Sequence, residues 1–212
     1  MQVTPLDVGR KEEAVDVVVD AFFDYPVMRF VIGSEGAAYA RRARLMVDFF
    51  TTARFLGDDL VMSVTNADGA LVAVANVTRP GQRPKPSALV PLREALWREL
   101  GDDARTRYEE LGRIWQAFAS EQPHYHLNML GVRRSHQKRG AARLLLDALH
   151  ERSARAPDSC GVSLTTEDPS NVPFYERFGY RIVGKRSVGG FTTRGFFRPN
   201  AGCPSDAPGS CD

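Results

Sequence analysis

The sequence predicts a mixed α/β fold, with one sheet covered by helices on both faces. Three observations carry this. Helically spaced apolar residues and short β-rich runs succeed one another in the order β-α-α-β-β-α-α-β-α-β-α-β-β. An "ADG" turn joins two β-rich runs, which asks for an antiparallel hairpin. Further on, strand, helix and strand alternate, which asks for a parallel pair, because a helical crossover returns the chain in the same direction. The 212 residues, 43% of them hydrophobic, suffice for one sizeable core. A single domain is expected over 1–198, followed by a disordered Pro/Gly/Ser-rich tail over 199–212.

The elements follow in order. Residues 2–7 read as a short strand. Residues 10–23, "RKEEAVDVVVDAFF", place Ala14, Val15, Val18, Val19, Phe22 and Phe23 on one helical face, and Pro26 closes the pattern. A second helix is expected from about Glu35 to Phe55, with Leu45, Met46, Phe49 and Phe50 inward. "LVMSVTNADGALVAVANV" gives two strands joined at Asn66–Gly69. Residues 79–122 form a long insertion: a Pro-rich loop, then helices near 89–100 and 103–119. Its apolar residues Leu96, Trp97, Leu100, Ile114, Trp115 and Phe118 read mainly as core, and insertions of this length often wall a substrate site. Strand 124–132, helix 140–155, strand 161–167, a short helix over 171–179 stopped by Gly179, and strands 180–186 and 190–197 complete the chain.

Composition excludes several classes. A net charge of +2 leaves no general nucleic-acid footprint. No apolar run approaches the ~18 residues of a membrane span, and the charged N-terminus lacks a signal core, so a cytoplasmic protein is expected. Three cysteines, Cys160, Cys203 and Cys211, have no metal-ligand spacing; no metal site is expected, and a Cys203–Cys211 bridge is the minor alternative to free thiols.

The positive charge is concentrated at "RRSHQKRGAARLLLDALHER", residues 133–152. Gln137, Lys138, Arg139, Gly140, Ala141, Ala142 and Arg143 stand where a strand ends and a helix begins. Helix N-termini carry unpaired N–H groups and partial positive charge, and small residues leave that end open to a phosphate. Neither a Walker loop nor a dinucleotide fingerprint is present. By itself the segment also fits a solvated basic helix start.

This Q-x-x-G-x-A segment resembles the acetyl-CoA pyrophosphate loop of the GNAT N-acetyltransferase superfamily. The likeness extends through the preceding "LNMLGVRRSHQKRG" and the later "LTTEDPSNVPFYERFGY". "VDAFFDYPVMRF" adds a likeness to puromycin N-acetyltransferase and its relatives. The resemblance implies a mostly antiparallel sheet splayed between its fourth and fifth strands, 124–132 and 161–167. It implies acetyl-CoA as co-substrate, its pantetheine arm against Leu130, Gly131 and Val132, its pyrophosphate on 137–142, and Asn171 beside the arm. It implies transfer to the amine of a small molecule, of antibiotic, metabolite or arylalkylamine type. A non-catalytic acyl-CoA sensor and a protein N-terminal or lysine acetyltransferase are the alternatives. No nucleic acid or membrane partner is implied, and a homodimer is left open.

Such transfer needs a neutral amine, a stabilised oxyanion in the tetrahedral intermediate and a proton for the leaving thiolate. Tyr175 matches the family tyrosine read as general acid; its other reading is a core residue beside Phe174 and Phe178. His124 and His126 alternate toward Asn128 and are candidate bases, against the reading of histidines at a strand entrance. Puromycin-type relatives carry a glutamate where this chain has Thr165; Glu167, two residues later, is the candidate replacement. Phe23, Asp24, Tyr25 and Phe30 are the expected acceptor-side residues, with Asp24 drawing in a cationic amine; packing of a helix end is the alternative.

Overall fold

The computed structural model describes residues 1–33, 36–81 and 84–203. Among them, strands β1 (Gln2–Pro5), β2 (Leu60–Thr65), β3 (Leu71–Thr78), β4 (Tyr125–Val132), β5 (Gly161–Thr166), β6 (Arg181–Val188) and β7 (Phe191–Pro199) form one sheet. Its order is β1-β2-β3-β4-β5-β7-β6, and every neighbouring pair is antiparallel except β4–β5. Seven helices join the strands: α1 (Lys11–Phe22), α2 (Pro26–Ile32), α3 (Tyr39–Leu56), α4 (Leu89–Leu100), α5 (Asp102–Ala117), α6 (Ala141–Arg155) and α7 (Val172–Arg177).

The sheet divides the core in two. On one face Ala14, Val15 and Val18 of α1 pack with Val31, Met46, Val47, Leu96, Trp97 and Leu111 from α2 to α5. On the other, Leu145, Leu146 and Leu149 of α6 pack with Val64, Val77, Leu127, Leu164 and Tyr180. Burying apolar surface on both faces is what holds so mixed a sheet together.

The opening between β4 and β5 has a local cause. The two strands pair only over Tyr125–Leu127 and Val162–Leu164. β4 continues beside β3 to Val132, and β5 beside β7 to Thr166. Between Leu127, opposite Val77, and Met129, opposite Asn76, Asn128 is an extra residue. Such a bulge bends its strand and increases its twist, so β4 leaves β5 at this point.

Several sequence expectations are revised. Pro26 does not merely end the first helix: it opens α2, an element the periodicity did not reveal. Proline at a first helical position loses only an N–H that would be unpaired, and it keeps Tyr25 before it extended. The second helix begins at Tyr39. The final strand reaches Pro199, and Asn200 is buried against Ser153 and Ser159, so residues 199–203 belong to the fold rather than to the expected tail. Residues 204–212, and with them Cys211, lie outside the described residues.

Candidate active site

Where β4 and β5 part, a cavity of about 760 Å³ runs between them. Its outer mouth is the basic turn. Gly140 caps α6 in the left-handed region, φ 88°, with no side chain to occupy the first-turn N–H groups. Lys138 is also left-handed, φ 60°. Gln137 Nε2 donates to the Val132 carbonyl at 3.3 Å, pinning the turn to the end of β4. Gln137, Lys138, Gly140, Ala141, Ala142 and Arg143 line the mouth, and Leu130, Val132 and Asn171 line the channel behind it. Arg139 and Gly131 do not line the cavity. Gly131 has a packing reason instead: a Cβ there would sit 3.1 Å from Val18 Cα and 3.2 Å from Ala21 Cβ of α1.

These features fit a nucleotide diphosphate with an extended amide-bearing arm. The helix end supplies donors and positive potential for the phosphates. The freed edges of β4 and β5 leave backbone groups that an amide chain can pair with.

Deeper in, three predicted residues converge. Glu167 stands one residue past β5, is only 4% exposed and lines the cavity. Its Oε1 accepts from Thr193 Oγ1 at 2.6 Å and from Trp115 Nε1 at 3.3 Å. The Tyr25 hydroxyl takes the Glu167 backbone N–H at 2.9 Å. No ion pair neutralises Glu167 among the described residues. Burial therefore raises its pKa, opposed by the hydrogen bonds from Thr193 and Trp115, by the Tyr25 hydroxyl and by Arg194. Tyr175 of α7 packs against Phe174, Tyr180 and Phe196 and lines the cavity, and its hydroxyl makes no hydrogen bond to a described residue. Its pKa is pushed well above that of a free phenol, by burial first and by Glu167 second. A phenol so placed keeps its proton at neutral pH.

The other predicted site residues lie elsewhere. His124 precedes β4, bonds the Gln122 carbonyl at 2.6 Å and packs edge-on to Phe197. His126 bonds Ser163 Oγ at 2.7 Å under the sheet. Neither lines the cavity. Burial, then His124 and Arg54, lower the His126 pKa to about 4, so the ring is neutral and a poor proton acceptor near pH 7. Asp24 is paired with Arg29 and with Arg134 (2.7 Å) on the outer surface. Phe23 packs on Tyr39, and Phe30 on Phe191. Of the expected acceptor residues only Tyr25 reaches the cavity.

Of the cavity's inner wall, only the part supplied by the 79–122 insertion was anticipated in the sequence. Phe22, Met28, Met46, Phe50, Tyr108 and Trp115 form it, with Arg54 and Asn76. Their apolar spacing is that of core residues, and no sequence signal separates a helix face against a sheet from one against an opening. The Trp115–Glu167 contact joins residues 52 apart.

A splayed sheet with an anion seat at one end, and a carboxylate and a protonated phenol at the other, defines a class: enzymes that move an acyl group from a nucleotide-borne carrier. Residues 96–191 match the family model described as the acetyltransferase (GNAT) domain. An acetyltransferase (GNAT) domain is thus recognised over residues 96–191, and the enzyme class that it indicates is acetyltransferase. Solved acetyltransferases share its fold. A Corynebacterium glutamicum structure described as histone acetyltransferase HPA2 and related acetyltransferase superposes with a TM-score of 0.71 at 18% identity, covering 96% of this chain and 98% of its own. Arylalkylamine N-acetyltransferase 2 of Aedes aegypti gives 0.66 at 10% identity over 92% and 96%. The polyamine N-acetyltransferase of Drosophila melanogaster gives 0.64 at 16% over 92% and 97%. Among the described residues no helix is long and apolar enough to cross a membrane.

Proposed function

We propose that this protein transfers the acetyl group of acetyl-CoA directly to the amine of a small molecule, of antibiotic, metabolite or arylalkylamine type, in the cytoplasm. One observation carries the reading: Glu167 and Tyr175 line the same cavity that opens at the Gly140 helix end. Acetyl-CoA, when bound, supplies the activated thioester. The Gly140–Arg143 turn holds its diphosphate, and Lys138 and Arg143 add positive charge. Glu167 receives the incoming ammonium and takes a proton from its nitrogen, directly or through a water. As the new C–N bond forms and the C–S bond breaks, Tyr175 gives its proton to the departing sulfur and is restored by the second proton that the acetylated nitrogen sheds, which leaves thiol, neutral amide and a protonated Glu167 that releases its proton to solvent. The raised pKa of Glu167 brings a carboxylate closer to the proton affinity that general-base work requires. His126, neutral and outside the cavity, supports the sheet beneath it.

The test is thiol release from acetyl-CoA across a panel of amines, with Tyr175→Phe alongside. Tyr175→Phe should lower kcat by about 10²-fold while CoA affinity stays within twofold. Unchanged turnover in that variant removes Tyr175 from the chemistry. CoA binding without acetylation of any amine favours the sensor.

A further inference from the structure

The inner wall carries more information than the transfer step uses, and most of it comes from the 79–122 insertion. α5 contributes Tyr108 and Trp115, stacked edge-on with ring centroids 6.0 Å apart. Across from them α3 contributes Met46 and Phe50, and Phe50 lies 5.3 Å from Tyr108. These rings are half-buried and face the cavity, so a ligand body can complete their packing. The charges are placed asymmetrically. Glu167 stands unpaired at one end of the chamber. Asp168, the other lining carboxylate, takes the Ser170 N–H at 2.8 Å as a helix cap. On the far wall stands a guanidinium, Arg54, already balanced by Asp59 at 3.3 Å.

Trp115 belongs to both halves of this arrangement. Its ring is part of the apolar wall. Its Nε1–H donates to Thr193 Oγ1 at 3.1 Å as well as to Glu167, and Thr193 passes its own proton toward Glu167. Resting on the acetyl-transfer reading above, we infer that the acceptor is a monoamine with an aromatic body, and that Trp115 is a specificity and positioning residue that packs on this body while holding Glu167 in place. A second ammonium at the far end of the acceptor's body would meet apolar rings and the Arg54 guanidinium on that wall. The ionisable groups facing Glu167 are Tyr25, Tyr175 of α7 and Arg194 of β7, and the hydrogen bonds and ring contact of Trp115 go to Glu167, Thr193 and Tyr108 instead.

The experiment compares 2-phenylethylamine, n-hexylamine and 1,4-diaminobutane on the full chain. It measures kcat/KM and, by calorimetry, binding to the CoA-loaded protein. 2-Phenylethylamine should exceed each of the others by about tenfold or more in both readouts. Trp115→Phe keeps a ring but loses the N–H. It should keep the ranking and move the acid limb of the kcat/KM–pH profile upward by about half to one pH unit, because a donor to the carboxylate is gone. Thr193→Val should move the same limb in the same direction, and Trp115→Leu should lose the ranking as well. CoA affinity and melting temperature show that each variant is folded. A diamine bound as well as phenylethylamine overturns the assignment of acceptor class. Superimposable pH profiles in Trp115→Phe and Thr193→Val overturn the positioning role. If no amine is acetylated yet the binding preference persists, the acetyl-transfer reading falls and the aromatic-amine site stands.

Discussion

Replacing Gly140 separates two jobs that one residue performs. Its φ of 88° places it where L side chains are strained, although a Cβ there would meet nothing within 4 Å. The cost of Gly140→Val is therefore conformational rather than steric. A β-branched residue forced into this region costs about 1–2 kcal/mol or reshapes the turn. For a chain of this size that lowers the melting temperature by about 2–8 °C. The side chain also stands at the helix end where a phosphate would approach. Losing one N–H-to-phosphate hydrogen bond, worth about 1.5–3 kcal/mol, weakens CoA binding by about ten- to a hundredfold. Gly140→Asn separates the two effects, because asparagine tolerates the left-handed conformation. It should melt within about 2 °C of wild type yet still bind CoA more weakly. Calorimetric titration with CoA, beside thermal melts, reads both quantities. If Gly140→Val loses thermal stability but binds CoA as tightly as wild type, the diphosphate is not held at this turn.

Two further predictions concern buried titrating groups. Glu167 has a raised folded-state pKa, so its charged form is disfavoured by folding. This destabilisation is present above that pKa and is relieved as pH falls through it. Glu167→Gln should therefore melt higher than wild type at pH 7, with the difference shrinking toward pH 4–5, while kcat/KM falls by about 10²-fold or more. A variant that loses activity and also melts lower at pH 7 would contradict the cause assigned to the shift. His126, at about 4 in the folded state against an ordinary value of 6.5, behaves in the opposite sense. Its neutral form is favoured in the fold, so stability is full above pH 6.5 and is lost as pH falls from 6.5 toward 4. His126→Gln should soften that acid loss, leaving the part due to His150, which is also lowered to about 4. It should reduce kcat/KM less than Glu167→Gln does. Parallel melting curves, or a larger activity loss at His126, would reverse the assignment.

The sequence by itself determined what is local. Helical and alternating apolar spacing set nearly every element, and the "ADG" turn set the β2–β3 hairpin. The run from Gln137 to Arg143 marked the candidate anion seat, because an open glycine before a helix is a feature of consecutive residues. Tyr175 and Glu167 were legible as candidates for the same reason. The tertiary structure decided which candidates meet. A single extra residue, Asn128, opened β4 from β5, and His126, ahead of it, stayed in the paired part of the strand on Ser163. Glu167 became a buried, unpaired carboxylate only because Tyr25, Trp115 and Thr193, from three distant segments, close around it. Asp24 lost its expected part to Arg29 and Arg134, which reach it only in the folded chain. Backbone propensity and spacing act between neighbours in the chain, whereas the charge state of a carboxylate and the aim of a side chain depend on what folding brings against them.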